Sequence, residues 1–78
     1  MNNKEKTLSY KFGKRIKFER IKLDWSQEVL AEKADISRST ITSVERNSSS
    51  PTLDVVEKLA KALGYEPYEL LIFKDLEI

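Results

Sequence analysis

The chain has 78 residues, of which 40% are hydrophobic and 35% charged, so it is long enough for one globular domain and too short for two. It contains neither cysteine nor histidine, which excludes disulfides, thiolate or imidazole catalysis and nearly every structural zinc site. Its apolar runs fall far short of the roughly 20 residues that cross a bilayer. We therefore expect a single cytoplasmic, non-enzymatic domain over 1–78, with no cofactor, metal or small-molecule ligand.

The formal net charge is only +1, but the charges are unevenly distributed along the chain. Residues 1–23 carry eight basic and two acidic side chains, whereas residues 51–78 carry three basic and six acidic ones. Such an asymmetry can orient a molecule in the field of a phosphate backbone, and it also fits a merely solvated basic helix. Charge alone leaves both interpretations open.

Helix signals dominate the chain, and no segment alternates long enough to predict a strand. A first helix over 9–23 places long and apolar side chains on one face, namely Phe12, Ile16, Arg20 and Leu23. Ser26 and Ser37 are good N-caps for a second helix over 27–34 and a third over 38–46. Trp25 precedes the second helix, where a side chain can pack against Leu30.

A serine-rich loop at 47–50 leads into Pro51, and Thr52 caps a fourth helix that ends at Gly64. The apolar positions of this helix recur at helical spacing and are Leu53, Val56, Leu59, Ala60 and Leu63. Pro67 starts a short fifth helix that reaches toward Phe73 or Leu76. The sequence therefore predicts an all-α domain of five helices.

Only three residues, 35–37, separate the second helix from the third, so the two must cross at a steep angle, as in a helix-turn-helix over 27–46. The inside of this corner is apolar and consists of Leu30, Ala31, Ala34, Ile36, Ile41 and Val44. The outward face of the third helix carries Arg38, Ser39, Thr42, Ser43 and Arg46. Arginine pairs with guanine, and hydroxyl groups bind phosphates or base edges, so this face favours contact with a DNA groove.

The segment Ser26–Asn47, SQEVLAEKADISRSTITSVERN, strongly resembles the lambda-repressor and Cro-like helix-turn-helix family, also called the Xre family. The similarity extends over about 12–71. Asp24, Asp35 and Asn47 stand where the family commonly has glycine, and Asp and Asn are the non-glycine residues that best tolerate a left-handed backbone. The resemblance implies a five-helix lambda-repressor-like fold and a transcriptional regulator that binds double-stranded DNA.

The resemblance also implies roles for individual residues. Those that match the base-reading positions of the family are Arg38, Ser39, Thr42 and Ser43. Those that match phosphate-contacting positions are Gln27, Arg46 and Asn47, and Gln27 would also brace the third helix. Arg20 and Glu45 match a structural salt bridge between the first helix and the third.

The C-terminal segment, about 65–78, has more apolar surface than one short helix can bury against a small domain. Leu70 and Phe73 share one face of the predicted helix, and the other face carries Tyr68, Leu71, Ile72 and Leu76. We expect the second face to form a homodimer interface, the alternative being a tail that packs back on its own monomer. A dimer would bring two recognition helices to half-sites about 34–36 Å apart.

The resulting hypothesis is a homodimeric regulator that reads a pseudo-palindromic operator through the major groove. Its small size is similar to that of restriction-modification controller proteins, phage repressors and antitoxins. The alternative is a protein–protein interaction module, or an antitoxin, that keeps the helix-turn-helix scaffold and binds through Phe18, Ile21 or the C-terminal face. Phe18 and Ile21 lie off the buried face of the first helix, where they are either simply exposed or part of a small contact patch.

Overall fold

A computed structural model of the chain describes residues 6–73, and every regular element in that range is helical. The elements are the α-helices α1 (Leu8–Lys22), α2 (Gln27–Ala34), α3 (Arg38–Arg46) and α4 (Leu53–Leu63), followed by a 3-10 helix at Pro67–Leu71. Helix α1 packs against α3, α4 and the 3-10 helix, and α2 packs against α3 and α4. Within residues 6–73, each helix is too short or too polar to cross a membrane.

Hydroxyl side chains start all four α-helices. Ser26, Ser37 and Thr52 each accept a hydrogen bond of 3.1 Å from the backbone N–H three residues later, as predicted. Thr7 caps α1 in the same way, at 3.2 Å. Helix α1 therefore begins one residue earlier than predicted, and it also ends one residue earlier.

Three of the tight corners between helices use Asp or Asn in the left-handed region. Asp24, Asp35 and Asn47 have φ angles of 61°, 58° and 57°, which confirms the prediction that they take the place of glycine at these corners. Gly64 ends α4 with a φ of 84°. The left-handed Asp35 ends α2, and the Ser37 cap starts α3. The turn between the two helices is therefore fixed at both ends.

The core lies where the inner faces of the helices meet, and it consists of Phe12, Ile16, Leu30, Ala31, Ala34, Ile41, Val44, Leu59, Ala60, Leu63 and Leu70. Trp25 and Ile36 are partly buried against it. Two residues of the apolar faces identified in the sequence are not buried, since Leu53 is 85% exposed and Leu23 is 43% exposed. Both lie at helix ends: Leu53 is the first residue of α4, and Leu23 follows the last residue of α1, so neither has the core beneath it.

The predicted fifth helix is a 3-10 helix of five residues and not an α-helix. Pro67 occupies its first turn, and Glu66 and Glu69 close a reciprocal capping box around that turn. The chain is extended again at Ile72, with φ −100° and ψ 119°, and Arg15 donates a hydrogen bond to the Ile72 carbonyl there. The helix therefore ends at Leu71 and does not reach Phe73, whereas Leu76 lies outside the described residues.

Helices α1 and α3 cross at Gly13. A Cβ atom on this residue would overlap the backbone carbonyl oxygen of Val44 and would lie 3.3 Å from the carbonyl carbon. The two helices therefore approach as closely as backbone atoms allow. Sequence reasoning missed this contact, and it fixes how far α3 stands from α1.

Candidate nucleic-acid interface

Helix α3 has one buried and one exposed side. Ile41 and Val44 anchor it in the core, whereas Arg38, Ser39 and Arg46 are exposed. Thr42 and Ser43 lie half-buried between the two sides. The exposed side thus offers guanidinium and hydroxyl groups, which are the groups that bind phosphates and base edges.

A chain of hydrogen bonds fastens α3 to α1 and α2 through Glu45. Arg20 donates two bonds to the Glu45 carboxylate, from Nε to Oε2 at 2.7 Å and from Nη2 to Oε1 at 3.0 Å. The remaining guanidinium nitrogen, Nη1, donates to the backbone carbonyl of Trp25 at 2.8 Å. The side chains of this ion pair are only 12% and 4% exposed, so little water screens the interaction.

The same contacts change the ionisation of Arg20. The hydrogen bonds to Glu45 raise the pKa of the Arg20 guanidinium above its usual value, and the attraction of the carboxylate adds to this, although burial opposes it. The contacts with Glu45 therefore favour the charged form of Arg20. The structure contains the ion pair that the family resemblance implied.

Gln27 extends this network to the outward face of α3. Its Nε2 donates to Glu45 Oε1 at 3.1 Å, and its Oε1 accepts a hydrogen bond of 3.0 Å from Thr42 Oγ1. Gln27 is half-buried at the start of α2, next to the exposed side of α3. Sequence reasoning expected it to brace α3, but not through Thr42, because nothing in the spacing of two residues fifteen positions apart signals this bond.

Arg38 stands at the first turn of α3 with its side chain 62% exposed. Its closest charged neighbour is Glu28, 3.7 Å away and itself 74% exposed, so this contact is weak and leaves the guanidinium able to reorient. Beside it, the hydroxyl group of Ser39 lies 3.1 Å from that of the helix cap, Ser37. The base-reading residues implied by the resemblance therefore lie together along one side of α3.

A shallow groove of about 280 Å³ runs between α3 and the loop that leads to α4. Hydroxyl groups dominate its lining, from Ser39, Ser43, Ser49, Ser50 and Thr52. Arg46 and Asn47 are exposed at the end of α3, where this loop begins. Sequence reasoning did not assign the loop serines to a site, although the run at 48–50 was visible as a biased segment.

The C-terminal segment displays a second exposed surface. Leu70 is completely buried, whereas Tyr68, Leu71 and Ile72 are 66%, 42% and 48% exposed. Leu76, the fourth residue predicted for this face, lies outside the described residues. Three side chains of the predicted dimer face are therefore exposed to solvent, next to the buried Leu70.

A buried carboxylate ties this C-terminal segment to α1. Glu19 is only 3% exposed, and it accepts hydrogen bonds from Arg15 Nε and from Tyr65 Oη, both at 2.9 Å. Lys22 Nζ lies 3.3 Å from the same carboxylate. Burial alone would raise the pKa of Glu19, but the bonds from Tyr65, Arg15 and Lys22 outweigh it and hold the pKa below the ordinary 4.5.

This lowered pKa predicts how stability depends on pH. Because Glu19 binds its proton more weakly in the folded chain than in the unfolded one, its stabilisation is present above about pH 4.5 and is lost as the pH falls through the folded pKa. We expect the difference in free energy of unfolding between the wild type and Glu19→Gln to be largest near neutral pH and to shrink in acid. Urea unfolding of both proteins at a series of pH values measures it, and a difference that grows in acid would contradict the assignment.

Comparison with known proteins supports the helix-turn-helix assignment. A profile of the helix-turn-helix family matches residues 16–70. The control protein C.BamHI of Bacillus amyloliquefaciens is 41% identical over 66 residues, which cover 83% of this chain and 82% of that protein.

Two solved structures show the same fold. The restriction-modification controller protein C.AhdI of Aeromonas hydrophila is 40% identical, with a TM-score of 0.76, over 80% of this chain and 94% of its own. The biofilm regulator SinR in complex with DNA is 35% identical, with a TM-score of 0.73, over 78% of this chain and 98% of its own. The chain therefore belongs to the helix-turn-helix family, within the Cro-like group of transcriptional regulators.

Proposed function

We propose that the protein is a transcriptional regulator that binds a pseudo-palindromic operator in double-stranded DNA as a homodimer, with α3 in the major groove. The observation that carries this proposal is the exposed side of α3, which offers guanidinium and hydroxyl groups while Glu45, Arg20 and Gln27 hold the helix in place. A rigid helix of this kind presents its side chains to base edges without first having to order itself.

Within this proposal, the residues divide into two groups. Base edges are read by Arg38, Ser39, Thr42 and Ser43, and phosphates are bound by Gln27, Arg46 and Asn47. Thr42 donates its proton to Gln27 in the free protein, so it meets DNA as a hydrogen-bond acceptor or through its methyl group. Gln27 keeps one N–H for a phosphate while the other binds Glu45.

The likeness to two controller proteins supports a role in controlling a restriction-modification system. The phage-repressor alternative uses the same DNA-binding geometry, so it differs from a controller protein in the genes controlled and not in the site. Selecting duplexes from a random library with the purified protein tests sequence-specific DNA binding, which both roles require. We expect two related half-sites about 34–36 Å apart, and affinity that falls steeply with salt.

Failure to enrich any sequence, together with no duplex binding even at low salt, would overturn the proposal. That result would favour the protein-interaction module, because a domain of the same fold that binds only proteins makes no phosphate contacts and releases no counterions from DNA.

Arg38 is expected to contribute to sequence specificity. Arg38→Ala should weaken binding to the selected operator by about 1–3 kcal/mol while changing binding to random duplexes much less, because a bidentate arginine–guanine pair discriminates between bases. Fluorescence anisotropy with both duplexes measures the two affinities. An equal loss on both duplexes would instead assign Arg38 to a phosphate.

The exposed surface of Tyr68, Leu71 and Ile72 is the proposed dimer interface, with Leu76 as a further member of it. Leu71→Glu combined with Ile72→Glu should give a monomer, because like charges would face each other across a two-fold axis without solvent. Sedimentation equilibrium measures the mass, and operator affinity should fall because each half-site is then bound independently. An unchanged dimer mass would place the interface elsewhere.

A further inference from the structure

The outer face of α1 carries an exposed apolar surface that the DNA-binding proposal does not use. Phe18 and Ile21 lie one turn apart there and are 46% and 56% exposed. They form the floor of an open concavity of about 330 Å³, whose other lining residues are Lys14, Lys17 and Lys22. We call these five residues the α1 patch.

The α1 patch is framed by positive charge. Lys22 Nζ lies 5.2 Å from the centre of the Phe18 ring and 3.3 Å from the Glu19 carboxylate, so Lys14 and Lys17 supply most of this charge. Lys14 Nζ lies 5.5 Å from the centre of the Tyr10 ring. Lysine side chains in such positions pack their aliphatic stems along apolar surface and keep their ammonium groups in water at its edge. The result is an apolar floor with a cationic rim.

The patch is also separate from the surfaces already described. Helix α1 meets the core through Phe12 and Ile16, and it meets α3 through Gly13 and Arg20, which lie on other sides of the helix. The base-reading and phosphate-contacting residues lie on α2, α3 and the residue after α3. Burial of the patch by a partner therefore requires no change in the fold.

The positive charge of the rim indicates which kind of partner fits the patch. A second copy of the chain in a two-fold contact would bring Lys14 and Lys17 close to the same lysines of the other copy, which is unfavourable. DNA would satisfy the lysines but would leave the apolar floor without a partner, since phosphates offer no apolar surface. A protein segment with carboxylates flanking bulky apolar residues complements both parts of the patch.

We propose that the α1 patch docks an acidic amphipathic helix of a partner protein. Apolar side chains of the partner cover Phe18 and Ile21, and its Glu or Asp residues pair with Lys14 and Lys17, while Lys22 keeps its ion pair with Glu19. The contact is small, so binding is weak and sensitive to salt. Such a surface would let a regulator bound to DNA through α3 hold a second protein at the same time.

The test uses a synthetic helical peptide of about 15 residues with leucines at positions i, i+3, i+4 and i+7 and glutamates beside them. Titration into the isotopically labelled protein should shift the backbone NMR signals of residues 14–22 most strongly. Phe18→Ser should weaken binding by about tenfold or more, as expected when a central aromatic contact is removed. Lys14→Glu combined with Lys17→Glu should weaken it similarly.

A matched control is available in Leu53→Ser, which removes another exposed apolar side chain, at the start of α4 and away from the patch. It should leave peptide binding unchanged. Thermal unfolding of Phe18→Ser should match that of the wild type, because Phe18 lies outside the core.

Four results would overturn the proposal. One is equal binding by the wild type and Phe18→Ser, and another is equal binding of a peptide with lysine in place of glutamate. The third is weaker duplex binding by Phe18→Ser, which would assign the patch to DNA. The fourth is self-association that Phe18→Ser abolishes, which would assign the patch to a second copy. The first, second and fourth of these results do not depend on whether α3 reads an operator.

Discussion

We expect Glu45→Ala to lower the free energy of unfolding by about 3–5 kcal/mol, since it leaves the largely buried Arg20 guanidinium, only 12% exposed, without its carboxylate. Arg20 would keep only its bond to the Trp25 carbonyl, and Gln27 Nε2 would lose its acceptor. For a domain of this size the melting temperature should fall by more than about 10 °C. Urea and thermal unfolding followed by circular dichroism measure both quantities.

The chain offers a matched control for this prediction. Glu28→Ala also removes a carboxylate beside an arginine, but that pair is long and exposed, so stability should hardly change. The double variant Arg20→Met with Glu45→Leu removes both charges, and it should be more stable than Glu45→Ala alone because no ion is left unpaired. Equal effects of Glu45→Ala and Glu28→Ala would show that the buried network does not stabilise the fold.

The same network sets a limit on what sequence can reveal about the site. The hydroxyl caps at Ser26, Ser37 and Thr52 were predictable, because each cap needs only a residue type and the N–H three positions later. The bond from Thr42 to Gln27 was not, because it requires two helices to be placed relative to each other. Arg20 and Glu45 were paired only through the family resemblance.

The ends of helices show where local rules mislead. Leu53 fits the apolar spacing of α4 and yet is exposed. The spacing shows only which residues share a face of the helix, and it does not show whether the core extends beneath the first turn of α4. Pro67 correctly marked the start of a helix. Its 3-10 type and its end at Leu71 were not predicted. Next to that end, Arg15 binds the Ile72 carbonyl 57 positions away, a contact that no local pattern encodes.

For an alanine substitution at Gly13, helix propensity and helix packing predict opposite changes in stability. The sign of the measured change therefore shows which effect is larger. Helix propensity alone predicts that Gly13→Ala stabilises α1 by about 1 kcal/mol. The added Cβ would overlap the Val44 carbonyl oxygen, a backbone atom of α3 that cannot rotate aside, so the helices must move apart. We expect packing to win, with a net loss of about 1–3 kcal/mol in the free energy of unfolding.

Displacement of α3 should also reach the site, since Glu45 adjoins Val44 and its bonds to Arg20 depend on the same helix spacing. Gly13→Ala should therefore weaken operator binding even where the variant is fully folded, measured by anisotropy below its melting temperature. Lys14→Ala is the control, because it changes the next residue of α1 on the exposed side and should alter stability little. A stabilised Gly13→Ala protein would mean that α1 and α3 are further apart than the structure has them.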